Sequence, residues 1–387
     1  MSPRFASSIA SFGAVLSGLC VTGIALASSP VATVAGMPPV IDAANLYGEA
    51  GVNRLSPAVA GTLPRIYVPN RRSNDVYVID PASFKVVDTF KAGPSPQHIV
   101  PAWDLQTLWV TNNAEGEPDG SLTPIDPKSG KRGRNIAVDD PYNMYFTPDG
   151  KEAIVVAENH ARLDFRDAHT MALTSSLSVA GCKGINHADF SIDGTYALFT
   201  CEFAGMLAKI DMVDRRVVGY LLLERKGMPQ DIRVSPDGKV FFVADMMADG
   251  VYLVDGVSLA TIGFIKTGTG THGLYPSRDG TRLYVANRGS HRIHGPRHGR
   301  GSVSVIDFST RKVVATWPIP GGGSPDMGNV SADGKILWLS GRFDDVVYAI
   351  ETATGSVRSI PVGREPHGLT VWPLPGRYSL GHTGNMR

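Results

Sequence analysis

Tyr284-Val285-Ala286-Asn287, followed by Val303-Ser304-Val305-Ile306-Asp307, is the stretch on which the fold turns, because both phrases recur along the whole chain. The first recurs in degenerate form as Tyr67-Val68-Pro69-Asn70, Trp109-Val110-Thr111-Asn112, Val155-Val156-Ala157-Glu158, Leu198-Phe199-Thr200-Cys201, Phe242-Val243-Ala244-Asp245 and Trp338-Leu339-Ser340-Gly341. The second shortens to an apolar pair and an acid: Val78-Ile79-Asp80, Pro124-Ile125-Asp126, Lys209-Ile210-Asp211, Leu253-Val254-Asp255 and Ala349-Ile350-Glu351, with Phe165-Arg166-Asp167 the most altered copy. Each phrase therefore appears seven times, at a spacing of roughly 44 residues, a period that marks a repeat architecture.

Between the repeats stand Asp149-Gly150, Asp193-Gly194, Asp237-Gly238, Asp279-Gly280 and Asp333-Gly334. Asp-Gly suits the positive φ values of tight hairpins, so each unit reads as an antiparallel meander of four strands. No segment sustains an apolar period of 3.6 residues, so helices are expected to be minor. Four strands in roughly 44 residues is the size of a propeller blade. The expected fold is all-β: a seven-bladed β-propeller of four-stranded antiparallel blades over residues 64–373. The chain enters at Ile66-Tyr67-Val68, which matches the second strand of a unit, and Pro366-His367-Gly368-Leu369-Thr370-Val371 matches a first strand. The C-terminal strand should pair into the first blade and remove two open sheet edges.

Lys+Arg and Asp+Glu number 37 and 36. Binding to many phosphates needs a basic excess, so nucleic acid is not an expected partner. Arg4 and the apolar run from Ile9 to Ala27 read as a secretory signal ending at Ala25-Leu26-Ala27, with a second cleavage choice at Val34-Ala35. That places the protein in the periplasm or outside the cell as a monomer without a retained membrane anchor. Residues 1–27 are then the signal, 28–63 an extension and 374–387 a tail. With the signal removed, Cys182 and Cys201 remain, and an oxidising compartment favours a disulfide between them over a metal or redox role.

These phrases resemble the YVTN-repeat propellers, over nearly everything from Ile66 to Trp372. The resemblance implies kinship with the haem d1 domain of cytochrome cd1 nitrite reductase and the copper-binding domain of nitrous oxide reductase. It implies no single activity, since fold alone does not carry function.

The repeat also aligns the chain with itself. Near the start of each inner strand it places His98, Asn143, His187, Asp231, His272, Asp326 and His367. Strand order should gather them around one mouth of the central channel. Imidazole and carboxylate suit Cu or Zn, so His98, His187, His272 and His367 are candidate metal ligands. The alternative is structural, with each histidine bonded to a neighbouring blade. Seven blades are too wide for one ion, so adjacent pairs such as His367 with His98, or His272 with Asp326, are the realistic sets.

Further polar groups should join this mouth. Asn and Asp that end second strands are expected to cap them, whereas Glu202, Arg288 and Arg342 are not needed to make a turn. In one blade the loop from Ser290 to Arg300 is about ten residues longer than the repeat requires, and it carries His291 and His294. Long loops on a regular scaffold are where binding residues concentrate. Arg288, Arg342, Glu202, Asp231, Asp326, His291 and His294 are thus the expected ligand contacts. No nucleophile, phosphate-loop or haem-attachment motif occurs. The expected function is ligand or protein-partner binding at the mouth. A copper-type oxidoreductase or a tetrapyrrole-binding protein using the same mouth is the alternative.

Overall fold

Seven four-stranded antiparallel sheets follow one another around a ring in a computed structural model of the chain. It describes residues 1–3, 6, 31–115, 117, 119–225, 227–296, 299–382 and 384–387. Residues Met1–Pro30 and Val31–Arg387 form separate units. The signal read at Arg4 and Ile9–Ala27 lies outside the described residues.

Blade 1 is built from both ends of the propeller. Thr370–Trp372 pairs with Arg65–Asn70, matching Arg65 to Trp372 and Tyr67 to Thr370. Blades 2 to 7 take their inner strands from Pro96–Pro101, Pro141–Phe146, Ile185–Phe190, Pro229–Val234, Thr271–Pro276 and Pro325–Val330. The closing strand occurs where the repeat count required it.

Burial varies from strand to strand for a simple reason. A blade is flanked by two others, so its second strand is covered on both faces and reads as a nearly continuous apolar run, as in Val240–Asp245. Outer strands meet solvent and alternate, as in Arg216–Leu222. Trp338 and Trp372 are among the largest fully buried side chains.

Polar side chains stitch the blades together across the ring. Asp189 Oδ2 accepts from Val234 N–H, Asp231 Oδ2 from Leu274 N–H and Asn329 Oδ1 from Val371 N–H, at 2.8, 2.8 and 2.9 Å. Such bonds satisfy amides on the inner strands, each of which is the edge of its own sheet.

The extension does not hang free. Val34, Leu46, Asn53 and Leu63 donate backbone N–H groups to Asp193, Pro236, Ala332 and Pro127, so residues 34–63 cross the face that carries the Asp-Gly turns. The tail uses that face too. Leu55 bridges Gly376, and Gly381 bridges Tyr145 on the inner strand of blade 3. The segment after the closing strand is therefore folded back into the ring.

Candidate functional site

A repeated irregularity turns the polar residues inward. In each inner strand of blades 2 to 7 the pairing register shifts at the ring position: at Pro96/His98, Pro141/Asn143, Ile185/Ala188, Pro229/Ile232, Thr271/Leu274 and Pro325/Gly328. A bulge adds a residue and re-aims its side chain. The amide it frees is caught by a hydroxyl of the second strand. His98 N–H donates to Thr111 Oγ1 at 3.1 Å, and His187 N–H to Thr200 Oγ1 at 2.9 Å.

All seven ring residues are 0–1 % exposed. This corrects the expectation of an open mouth: they form a closed layer inside the channel. Its floor is the tail, which brings in a fifth imidazole, His382. Gly381 lies against the Tyr145 backbone, His382 N–H donates to the Met144 carbonyl at 2.8 Å, and the His382 ring is fully buried. Sequence reasoning missed His382 because it lies outside the repeat. Its one signal was a histidine between glycines, Gly381-His382-Thr383-Gly384.

The ring divides into two halves. In one, Asp326 is the hub. It accepts from Arg288 Nε at 2.8 Å, His272 Nδ1 at 3.0 Å and His367 Nδ1 at 2.8 Å. Arg288 Nη2 also meets His272 Nε2 at 2.7 Å. Both nitrogens of His272 are thus engaged, so its place as a metal ligand is not supported, nor is a pairing of His272 with Asp326 around an ion. Burial lowers His272 to about 4, with Arg288 adding to the effect. Burial works against the Asp326 carboxylate, but Arg288 and the surrounding imidazoles hold it well below the usual range.

In the other half, His98, His187 and His382 face one another. Their ring centroids are 5.3 Å apart for His98–His187, 5.3 Å for His98–His382 and 4.5 Å for His187–His382. His367 lies 4.8 Å from His98. Burial pushes all four well below their ordinary value, leaving neutral rings with lone pairs. Among the described residues, neither nitrogen of His98 nor Nε2 of His187 has a hydrogen-bond partner. Asp231 is tied down: besides Leu274 it accepts from Arg233 Nη1 at 2.7 Å, and His382 Nε2 lies 3.4 Å from its Oδ1.

Above the ring, on the face opposite the tail, is a cleft of about 180 Å³ lined by Arg71, Arg288, Arg342, Glu158, Glu202 and His294, with Tyr142 and His272 among its other walls. Glu202, Arg288, Arg342 and His294 do meet there. His291 does not: it sits at the rim, half-exposed, against Asp249 at 2.7 Å. Asp231 and Asp326 are buried among protein partners and do not line the cleft. Two loops contribute to its lining, through Ile293 and His294 and through Asn113 and Glu115. Besides the long loop of blade 6, the loop 113–120 of blade 2 exceeds the usual length, and its Glu115 meets His294 at 3.3 Å. Arg71 pairs with Glu365 and Glu115, and Arg342 with Glu365 at 3.4 Å. Burial raises the Glu158 carboxyl well above its usual range, Glu202 adding to it, and burial raises Glu202 as well. The second-strand ends take the capping role: Asn112 Nδ2 donates to Thr123 Oγ1 and Asn287 Nδ2 to Ser304 Oγ at 3.0 and 3.1 Å.

Cys182 and Cys201 form a disulfide with Cα atoms 4.8 Å apart, and both are fully buried.

The fold and channel define a seven-bladed propeller with a plugged, histidine-rich axis and a charged cleft at one end. The chain belongs to the YNCE-like beta-propeller family, whose model matches residues 21–376. No curated protein sequence matches it. Among solved structures it is similar to Kuenenia stuttgartiensis hydrazine synthase, at 19% identity over 77% of this chain and 94% of that one, TM-score 0.60. It is also similar to the dihydro-heme d1 dehydrogenase NirN in complex with DHE, at 15% identity over 83% and 80%, TM-score 0.57. A third is virginiamycin B lyase from Staphylococcus aureus, at 14% over 70% and 87%, TM-score 0.56. At such identities the likeness is one of fold.

Proposed function

We propose that this chain is an exported binding protein that takes a small anionic molecule, a carboxylate or comparable oxyanion, into the cleft above its channel. One observation carries the reading. Three arginines converge on the cleft, and Nε of Arg71 and of Arg342 is buried without a hydrogen-bond partner among the described residues. A buried charged donor left unmet costs about 1–3 kcal/mol or more, and an anion would recover it. Glu158 and Glu202, with raised pKa values, would offer protons to the same guest instead of repelling it.

The size of the cleft sets the class of ligand. At about 180 Å³ it is smaller than the roughly 300–1,000 Å³ of drug-sized sites, so a compact anion fits and a tetrapyrrole does not. Export rests on the sequence at Arg4 and residues 9–27, and the near balance of charge argues against nucleic acid.

Isothermal titration calorimetry with acetate, oxalate and inorganic phosphate tests the reading. At least one should bind the wild-type chain, and Arg342→Gln should weaken it by about tenfold or more, the cost of one lost charged hydrogen bond. His291→Ala should bind as wild type does. Equal affinity in wild type and Arg342→Gln, or no heat with any of the three, would sink the proposal.

A further inference from the structure

We propose that the channel beneath the cleft binds one divalent transition-metal ion, Zn²⁺ or Cu²⁺, through His98, His187 and His382, with Asp231 as a fourth donor. The site is separate from the anion reading: a metal in the channel does not require a guest in the cleft, and either can fail alone.

The geometry is the first support. With Zn–N bonds of about 2.0–2.1 Å, an ion sits about 3.2 Å from the ring centroid of each imidazole that binds it. Two such centroids are then about 4.5 Å apart for ligands at a right angle and about 5.2 Å apart at the tetrahedral angle. The three observed separations are 4.5, 5.3 and 5.3 Å. Ligand atoms of His187, His382 and Asp231 all lie within 4.8 Å of one another. The 3.4 Å between His382 Nε2 and Asp231 Oδ1 matches the roughly 3.3 Å between two tetrahedral ligands.

The second support is independent of that triangle. His98 is fully buried and both its nitrogens lack partners among the described residues, as does Nε2 of His187. Buried polar atoms are nearly always bonded, so these unmet ring nitrogens on two facing histidines call for a guest. The facing histidine of the other half, His272, has both nitrogens engaged by protein. The contrast separates a structural imidazole from one left open.

Local chemistry agrees. Asn143 Nδ2 lies 3.0 Å from His187 Nδ1 and 2.8 Å from His382 Nδ1, so one carboxamide holds both rings with their Nε2 atoms turned away from it. Arg233 neutralises part of the Asp231 charge at 2.7 Å, which makes the histidines the main donors. A set of three imidazoles and one carboxylate suits Zn²⁺ or Cu²⁺ over Mg²⁺ or Ca²⁺. It also gives the tail a purpose: Gly381-His382 delivers a ligand that the sevenfold repeat cannot.

The test uses the full chain, without affinity tag or chelator, loaded with ZnSO₄ or CuSO₄ and desalted. About one equivalent of one metal should remain. In competition with a chromogenic chelator, His98→Ala and His382→Ala should each weaken that metal at least about 100-fold. His291→Ala, at the rim, should not change it. Less than about half an equivalent in wild type after reconstitution, or unchanged affinity in both variants, overturns the site. If a variant does not fold by circular dichroism, wild-type protein loaded with Co²⁺ decides: imidazole-ligated d–d bands support the site, and the spectrum of aqueous Co²⁺ overturns it.

Discussion

His367 Nδ1 donates to Asp326 Oδ2 at 2.8 Å across 41 residues of sequence, and the same carboxylate accepts from Arg288 Nε. All three side chains are at most 3 % exposed. Asp326→Asn should therefore strand a buried guanidinium. Losing one partner of a buried pair costs about 3–5 kcal/mol, and a urea-unfolding midpoint should fall accordingly. A change below about 1 kcal/mol would mean the hub is not an energetic one.

The cleft carboxyls predict a pH dependence of unusual sign. Burial raises Glu158 and Glu202 above 4.5. Between 4.5 and the raised folded values, the folded chain holds more protons than the unfolded one. Stability should therefore decline as pH rises through that window and level off above it. Melting curves from pH 4.5 upward should show the fall, and Glu158→Gln should flatten it. The same protons favour an anionic guest, so oxalate or phosphate should bind more weakly at the high end.

The Cys182–Cys201 bridge closes a loop with a sequence separation of 19. Loops of that length carry about 3 kcal/mol of stabilisation. The double variant Cys182→Ala/Cys201→Ala should lose about that much in chemical denaturation while keeping the far-ultraviolet spectrum of the wild type. An unchanged midpoint would show that the bridge is not a staple.

Arg387 Nη2 meets the buried Asp189 at 2.6 Å, and Asn385 Nδ2 meets it at 2.9 Å. These contacts hold the tail in the ring. Arg387→Ala should cost about 3 kcal/mol, the low end for a broken buried pair. It should also expose the Gly381 and His382 amides to hydrogen exchange. Protection equal to wild type would assign the anchoring to the Gly381–Tyr145 bridge instead.

Much of this molecule is written locally. The seven phrases ending in residues such as Asn287 and Asp307, the Asp-Gly turns and the unmatched strand at each end determine blade number, strand order and closure. They do so because a strand's apolar pattern and a turn's φ preference depend on a few neighbouring residues. The periodicity also located the polar ring from His98 to His367.

What those ring residues do was decided by tertiary structure alone. His98 and His272 occupy equivalent repeat positions, yet among the described residues the ring nitrogens of one have no hydrogen-bond partner and those of the other are held by Arg288 and Asp326. Their difference arises from side chains tens of residues away in sequence. His382 and Arg71 show the same dependence: one reaches the channel through a tail outside the repeat, the other joins a cleft built from several blades. Periodicity can say that residues share a layer, but hydrogen bonding and burial depend on which neighbours the closed ring brings within three or four ångströms.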